Sequence, residues 1–367
     1  MSRAPARILL TTDAVGGVWT YSLDLAALLA RRGMEVELAL LGPALASAQQ
    51  QAVAALPGVR LHETGLPLEW LADSQALAAL PAALAALARC LRVELVQLHS
   101  PALVGDVIWP APVLAVLHSC PGTWWRAVRG TAPPPEEFLW RMAAVRRGLA
   151  RVEIVIAPSR ALARLAATVY GLSREIRVVA NARPDVALPG GPREGILCAG
   201  RLWDEGKNIA LLDRAAALAR LPAAAAGPLQ GPHGAAIGLT GLRWLGVLAP
   251  AALAREMARA RLFAAPALYE PFGLAVLEAA QQGAALVLSD IPTFRELWRG
   301  AALFLPRDDA SAWAAALARL HEQPETCAAW GARARRRARR YAAARFEAAM
   351  LSLYGLPAVP PLIRAAG

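Results

Sequence analysis

The feature that most constrains this fold is an alternation of short apolar runs with helix-length segments along the whole chain. The runs are apolar at successive positions, which is typical of parallel strands that helices cover on both faces. The first half contains the runs ARILLTT, EVELALLG, VRLHET, ELVQLHS, PVLAVLHS, VEIVIAPS and IRVVAN, and the second contains GILCAG, AAAAG, LRWLG, RLFAAPA, ALVLS and AALFLP. The pattern predicts strands of doubly wound parallel α/β sheets.

A break rich in proline and glycine, ARPDVALPGGPREG at residues 182–195, separates the two series of runs. A length of 367 residues is comfortable for two domains. We therefore predict a first Rossmann-like domain at residues 1–182, a second at 183–345, and a tail at 346–367 that crosses back to the first. In such sheets ligands bind beyond the carboxyl ends of the strands.

Composition narrows the class of protein. The chain is 56% hydrophobic and 18% charged, which is typical of a globular protein. Its four cysteines form no C-x-x-C pair and stand near no histidine cluster, so we expect a reduced, cytoplasmic protein without a structural zinc site. The alanine-rich uncharged stretch at residues 74–88 contains Pro81 and is shorter than the roughly 20 residues of a membrane span.

The basic charge is concentrated in two arginine-rich segments. The formal net charge is +11, and RMAAVRRGLAR at residues 141–151 and ARARRRARRYAAAR at residues 332–345 carry much of it. Two interpretations of these segments are open: solvated faces of surface helices, or patches that attract anionic lipid headgroups or phosphorylated substrates. No recognisable nucleic-acid-binding module accompanies them, so we expect no nucleic-acid partner.

Lys207 is the single lysine of the chain and lies in the stretch GRLWDEGKN. An apolar run enters this stretch and a helical pattern follows it, as in the loop G-x-x-x-x-G-K-[ST] that holds phosphates. However, five residues separate Gly200 from Gly206, and Asn208 stands where a magnesium-binding hydroxyl belongs. The stretch is therefore a poor match to a nucleotide-hydrolase phosphate loop.

Polar and glycine residues follow several strands of the first domain. Gly16 and Gly17 come after the first predicted strand, where they form either an ordinary βα loop or an anion site at the start of a helix. His99 and His118 end the fourth and fifth strands. A histidine in such a place is either a structural residue or an imidazole that faces the substrate.

The stretch APALYEPFGLAVLEAAQQG at residues 265–283 is the most specific of the second domain. We predict a strand that ends near Ala267 and a helix that begins around Gly273, because Pro271 interrupts the chain between them. The backbone N–H groups of residues 272–274 would then point outward, ready for a phosphate or a sugar hydroxyl. Glu278, inside the helix, is a carboxylate suited to the paired hydroxyls of a ribose.

YEPFGLAVLEAAQQG, with its E-x7-E spacing, resembles the core motif of the glycosyltransferases of family 4. GGVWTYSLDLAALLARRGMEV resembles that family's glycine loop and first helix, AGRLWDEGKN its Gly-Arg-Leu and lysine motif, and SDIPTFRELW the segment after the core motif. The resemblance covers nearly the whole chain. It implies the GT-B fold, a nucleotide-diphosphate-sugar donor and transfer of a hexosyl group with retention of configuration.

The resemblance also assigns roles to individual residues. Arg201 and Lys207 would bind the diphosphate of the donor and stabilise the negative charge that builds on the leaving phosphate. Glu278 would hold the ribose hydroxyls, and Glu270 would hold the hydroxyls of the transferred sugar. His118 would lie near the sugar and phosphate at the cleft.

Backbone groups complete the donor site that the resemblance implies. The N–H groups of Phe272, Gly273 and Leu274 would contact the sugar and the distal phosphate, with Gly16 and Gly17 closing from the other domain. Family members generally work without a bound metal, and the sequence contains no D-x-D, so we expect neither a metal nor another cofactor. The acceptor would be a glycan, a lipid-linked compound or a small molecule, with peripheral contact to an anionic membrane surface at its inner face as a further expectation.

The sequence departs from the family pattern at several positions. NARPD at residues 181–185 replaces the usual Asn-Gly-x-x, and Asn208 replaces a usual glycine after the lysine. AAAAGPLQGPHGAAIGLTG, at residues 223–241, is a poor version of a glycine loop that lies near the nucleotide in relatives. Two alternatives therefore stay open: a nucleotide-sugar-binding protein without transfer activity, and a GT-B nucleotide-sugar epimerase or hydrolase.

Overall fold

The computed structural model describes residues 6–185 and 191–355, which form two parallel sheets with helices on both faces. The first sheet has the strand order β3-β2-β1-β4-β5-β6-β7, and all of its strands run parallel. Its strands are β1 Arg7–Asp13, β2 Glu35–Leu41, β3 Val59–Glu63, β4 Leu95–Leu98, β5 Val113–Val116, β6 Ile154–Ala157 and β7 Arg177–Val178.

The second sheet has the order β10-β9-β8-β11-β12-β13 and is also entirely parallel. Its strands are β8 Glu194–Ala199, β9 Ala223–Ala226, β10 Arg243–Trp244, β11 Ala260–Ala265, β12 Ala285–Ser289 and β13 Ala302–Leu305. Each strand of the two sheets lies within its predicted apolar run or extends one residue beyond it. The predicted α/β fold class is therefore confirmed.

Helices connect successive strands and cover the sheets. Those of the first half are α1 Gly17–Arg31, α2 Ser47–Ala54, α3 Ser74–Cys90, α4 Pro121–Arg129, α5 Glu136–Arg151 and α6 Arg160–Tyr170. Those of the second half are α7 Ile209–Ala219, α8 Pro250–Arg259, α9 Leu274–Gln281, α10 Pro292–Trp298, α11 Ala310–His321, α12 Pro324–Ala338 and α13 Ala343–Leu353. No helix of the described residues is long and apolar enough to cross a membrane.

Each sheet separates two apolar cores, because successive side chains of a strand point to opposite faces. In β1, Leu9 packs into one core, whereas Ile8 and Leu10 pack into the other. The second sheet likewise divides Leu262 from Phe263. Helices on both faces bury these strands, which is why their sequences are apolar throughout.

Helix α13 follows α12 of the second half but packs on the first sheet. Met350 is fully buried in the core that contains Ile8 and Leu10. The Tyr354 hydroxyl donates a 2.5 Å hydrogen bond to Gln97 Oε1, and Arg32 pairs with Glu347. Residues 186–190 of the predicted linker and residues 356–367 of the predicted tail lie outside the described residues, and the domain boundaries stay predictions.

Candidate active site

The candidate site lies where the carboxyl ends of the two sheets face each other. Loops of the two halves bond across this cleft: the Thr123 hydroxyl lies 2.8 Å from the Tyr269 hydroxyl, and Ser159 Oγ donates to the Pro271 carbonyl at 2.8 Å. In the first sheet the strand order reverses between β1 and β4. Ligands bind at this reversal in open parallel sheets.

Lys207 and Glu270 form an ion pair in the cleft, with Nζ 2.5 Å from Glu270 Oε2. The Gly206 carbonyl accepts hydrogen bonds from the N–H groups of Leu268 and Tyr269, so the two loops are joined next to the pair. The exposed fractions of the two side chains are 20% and 14%. The two residues predicted for phosphate and for sugar therefore neutralise each other's charge.

Asn208 explains how the lysine loop works without the usual glycine. Its backbone is left-handed, with φ 54°, a conformation that asparagine tolerates better than most residues. Its side-chain amide donates to the carbonyls of Pro266 and Arg307 at 3.0 and 2.9 Å. These bonds hold the turn that carries Lys207, so this departure from the family pattern leaves the loop intact.

Arg201 lies at the carboxyl end of β8 and pairs with Asp204 at 2.7 Å. The other carboxylate oxygen of Asp204 accepts from the Gly206 N–H at 2.9 Å. This aspartate therefore holds both the loop and the guanidinium of Arg201 in place. Arg201 also lies against Gly16 of the other half: a Cβ at Gly16 would be 3.2 Å from Arg201 Nη1. A side chain larger than glycine would therefore press on this guanidinium.

The start of α9 presents backbone N–H groups to the cleft. Among the described residues, no group accepts a hydrogen bond from the N–H of Phe272 or Gly273. Gly273 has φ 90°, which favours glycine, and the Phe272 ring is buried in the core behind the loop. Gly17 comes close from the other half, since a Cβ there would lie 3.5 Å from Leu274 Cδ1. The helix begins at Leu274, one residue after the predicted position.

Glu278, whose side chain is 25% exposed, forms an ion pair that the sequence did not indicate. Its Oε1 lies 2.7 Å from Nε of Arg183, which follows the first domain, and Arg183 also pairs with Asp24 of α1 at 2.5 Å. Burial raises the pKa of Glu278, and the Arg183 charge opposes that rise. The three side chains tie the two halves together. Arg183 belongs to the segment NARPD at residues 181–185, in which the glycine of the family's usual Asn-Gly-x-x is absent.

The two histidines at neighbouring strand ends differ in their surroundings. His99 is buried, with Nδ1 3.0 Å from Ser22 Oγ and Nε2 2.9 Å from Gln97 Nε2, so both ring nitrogens are satisfied. Nε2 of His118 is buried without a hydrogen-bond partner among the described residues. Burial lowers the pKa of His118 to about 3, so the imidazole is neutral at physiological pH.

Sequence reasoning missed two carboxyl groups in this region. Asp13 ends β1 and accepts from the Val15 N–H at 2.7 Å, and burial raises its pKa to about 6. Burial and then the charge of Asp13 raise the pKa of Glu69 to about 7. The position of Asp13 at a strand end was an available signal, whereas Glu69 lies in the connection from β3 to α3.

The structure brings together Arg201, Lys207, Glu270 and the start of α9, with Gly16 and Gly17 against them. It also shows Glu278 bound to Arg183. No group of three or more histidine, cysteine, aspartate or glutamate side chains within residues 6–185 and 191–355 is arranged to hold a metal ion. The arrangement offers two cations, a neutral imidazole and free N–H groups around one cleft, which suits an anion whose charge grows during a reaction.

Comparison with protein families gives two matches, one for each half of the chain. The model of Glycosyltransferase Family 4 matches residues 15–184, and the model of Glycosyl transferases group 1 matches residues 193–323. A phosphatidyl-myo-inositol mannosyltransferase of Mycolicibacterium smegmatis is 36% identical over 172 residues, which are 42% of this chain and 43% of that protein. The match therefore spans less than half of this relative.

Solved structures share the fold over nearly the whole chain. Sucrose-phosphate synthase from Thermosynechococcus elongatus has a TM-score of 0.76 at 20% identity, covering 95% of this chain and 98% of its own. Anabaena HepE in complex with UDP-glucose has a TM-score of 0.74 at 17% identity, covering 95% of this chain and 99% of its own. These likenesses confirm the predicted two-domain arrangement of parallel sheets.

Proposed function

Because the chain belongs to the family 4, group 1 glycosyltransferases, we propose that it transfers a hexosyl group from a nucleotide-diphosphate-sugar to a hydroxyl acceptor with retention of configuration. The observation that carries this proposal is the meeting of Arg201, Lys207 and Glu270 with the start of α9. The donor would lie against the second sheet and the acceptor against the first.

The charges of the site would be redistributed when the donor binds. The diphosphate would take the place of Glu270 at Lys207 Nζ, and it would accept hydrogen bonds from Arg201 and from the N–H groups of Phe272 and Gly273. The released Glu270 carboxylate would accept hydrogen bonds from hydroxyls of the sugar. As the bond to the sugar breaks, the two cations would stabilise the charge on the leaving diphosphate, a role that requires no metal.

Glu278 would bind the ribose only after a change of partner. Arg183 now occupies one of its oxygens, so the ribose hydroxyls would use the other oxygen or displace the guanidinium. Because Arg183 also contacts Asp24 of the first half, donor binding would weaken a link between the two halves. Domain movement over the donor is a common way to exclude water from such sites.

A turnover assay tests the proposed function. Pure protein is incubated with a panel of nucleotide-sugars that includes GDP-mannose and UDP-glucose, and the release of free nucleotide is followed with and without candidate acceptors. We expect release from one donor and a loss of about 100- to 1,000-fold in Lys207→Ala, because that variant removes a cation at the leaving phosphate.

Two alternatives predict different outcomes of the same assay. A nucleotide-sugar-binding protein without transfer activity would bind a donor and release no nucleotide, while Lys207→Ala would merely weaken binding. A hydrolase would release nucleotide equally well without any acceptor, and an epimerase would convert the nucleotide-sugar to its epimer without releasing nucleotide. Either result would contradict the transferase proposal.

We also propose a peripheral contact with an anionic membrane surface, for a protein that works in the cytoplasm. Arginines 299, 333, 336, 337 and 340 line one depression beside α12. Basic patches of this kind are attracted to anionic lipids at about 1 kcal/mol per residue near the surface. Sedimentation with liposomes should require anionic lipid and collapse at high salt, and sedimentation indifferent to both would remove this proposal.

A further inference from the structure

A cavity of about 520 Å³ lies at the carboxyl ends of β1, β2, β4 and β5, beside the candidate donor site. Of the residues predicted for the donor, only His118 and Arg201 line it, whereas Lys207, Glu270 and the start of α9 do not. The cavity is therefore distinct from the donor site and shares one edge with it. This is the place where an acceptor would meet the anomeric carbon.

Most of the cavity wall is apolar. Among its lining residues are Val15, Leu71, Leu77, Leu103, Phe138 and Val145. At one side Trp70 of the first half faces His233 of the second, with ring centroids 6.2 Å apart, and His233 packs on Trp203 at 5.0 Å. The loop at residues 227–241 of the second half thus contributes His233 to this cavity. A ligand with an apolar body would be enclosed by these side chains.

The charged groups of the cavity do not suit an anion, although the chain carries a net charge of +11. Five carboxyl groups line the cavity, those of Asp13, Glu69, Glu137, Asp204 and Glu205, against the two guanidinium groups of Arg141 and Arg201. Arg201 is paired with Asp204. Arg141 donates to the carbonyls of Glu137 and Ala72 at 2.9 and 3.1 Å and lies over the Trp140 ring, while its Nε is buried without a hydrogen-bond partner among the described residues.

We propose that this cavity binds the acceptor, and that the acceptor is a neutral alcohol with an apolar body rather than an anionic headgroup. The inference rests on the proposed transferase function. Asp13 and Glu69 would bind acceptor hydroxyls, and the hydroxyl nearest His118 and Arg201 would react. Its oxygen would bond to the anomeric carbon, the bond from that carbon to the diphosphate oxygen would break, and the hydroxyl proton would pass to the departing nucleoside diphosphate.

This acceptor class differs from the one in the name of the mannosyltransferase relative, whose acceptor carries a phosphate. The difference follows from the described side chains, since a phosphate in the cavity would face five carboxyl groups and two guanidinium groups, of which that of Arg201 is paired with Asp204. Burying an anion without a counter-charge is costly. A neutral acceptor would instead satisfy the carboxyl oxygens with its hydroxyls.

Binding in the absence of donor tests the acceptor class directly. Isothermal titration calorimetry compares three compounds. Phenyl β-D-glucoside is neutral and has an apolar ring, phenyl β-D-glucoside 6-phosphate adds one anionic group, and glucose lacks the ring. We expect the neutral glucoside to bind at least about tenfold more tightly than either other compound. Equal or tighter binding of the phosphate, or no binding of the glucoside, would overturn the proposal.

Variants locate the binding within the cavity. Glu69→Gln and Trp70→Ala should each weaken binding of the glucoside by about tenfold or more, because they remove a hydroxyl partner and an apolar wall. Glu63→Gln is the matched control, since Glu63 is exposed on β3 and outside the cavity. If Glu63→Gln weakened binding as much as both cavity variants do, the glucoside would not bind in this cavity. Two cavity variants are used so that the test still gives an answer if one of them fails to fold.

Donor binding is measured separately, as the shift of the melting temperature by GDP-mannose or UDP-glucose. We expect Glu69→Gln to keep the shift of wild type, because the residue lies outside the donor site. Absence of any donor shift and turnover in wild type would refute the proposed function. A normal donor shift and turnover onto anionic acceptors alone would refute only the acceptor class.

Discussion

At the scale of single residues, Lys207 carries a compact ammonium group and is the single lysine of a chain that otherwise uses arginine. It fits between the Gly206 turn and Glu270, 2.5 Å from that carboxylate. A guanidinium is larger and planar, and it distributes its charge over a fork. We therefore expect a guanidinium to fit this position less well than the ammonium.

Lys207→Arg should keep the fold and lose about 100-fold in turnover, because the guanidinium would place its charge away from the leaving phosphate. The measurement is nucleotide release with the preferred donor, with the melting temperature as a test of folding. Arg255→Lys, an exchange at an exposed position of α8, serves as the control. Near-normal turnover of Lys207→Arg would show that the ammonium is not required.

Glu69 gives a prediction for the pH dependence of stability. Its pKa is raised to about 7, mainly by burial, so between about pH 4 and 7 the folded protein binds more protons than the unfolded chain. The contribution of Glu69 to the free energy of unfolding therefore falls as the pH rises through this range. Glu69→Gln, which cannot lose a proton, should gain stability relative to wild type between pH 5 and 8 in urea unfolding. A constant difference between the two proteins would contradict this.

The site residues were predictable from sequence to the extent that they end a strand or begin a helix. Arg201, Glu270 and His118 follow apolar runs, and the carboxyl ends of parallel strands meet at one edge. The partners were not predictable: the pairing of Glu278 with Arg183 depends on how the two halves pack. Glu69 lies in a connection without a periodic pattern, and its raised pKa depends on burial that only the folded chain creates.

At the scale of elements, α5 packs closely on the 3-10 turn Pro101–Leu103. Gly148 makes this approach feasible, because a Cβ at that position would overlap the Pro101 carbonyl oxygen. Since α5 and this turn also supply Val145 and Leu103 to the cavity wall, the packing of one helix sets the width of the proposed acceptor site.

Gly148→Ala should destabilise the protein by about 2 kcal/mol or more, because the methyl group forces the helix away from backbone atoms that cannot rotate aside. Chemical denaturation measures the change. Gly238→Ala is the matched control, since a Cβ there meets no atom within 4 Å and the backbone is in an ordinary conformation. Equal stability of the two variants would contradict the close approach.

Strands were the most predictable elements, because burial on both faces leaves an apolar run that loops interrupt. Their ends were less predictable. β11 ends at Ala265 rather than near Ala267, since Leu268 and Tyr269 donate to the Gly206 carbonyl instead of continuing the ladder. β10 has two residues, and β9 consists of four alanines whose sequence alone favours a helix.

At the scale of the whole molecule, Arg183 links the two halves through Asp24 and Glu278. Arg183→Ala should lower the free energy of unfolding by roughly 1–3 kcal/mol, because two partly buried carboxylates lose their shared cation. Urea unfolding checks this, with Arg164→Ala of α6, an exposed arginine, as the control. An unchanged stability of Arg183→Ala would mean that the link contributes nothing net.

The return of α13 to the first sheet has a consequence for chain connectivity. The polypeptide passes between the halves twice, and the two passages lie side by side, since Arg183 and Ala342 form a parallel bridge. After a protease cut in the first passage no covalent bond would join the two fragments, but the second fragment would still carry α13, whose Met350 is buried in the core of the first sheet. Two peptides that are produced separately, with the division within residues 186–190, should therefore associate into one folded complex.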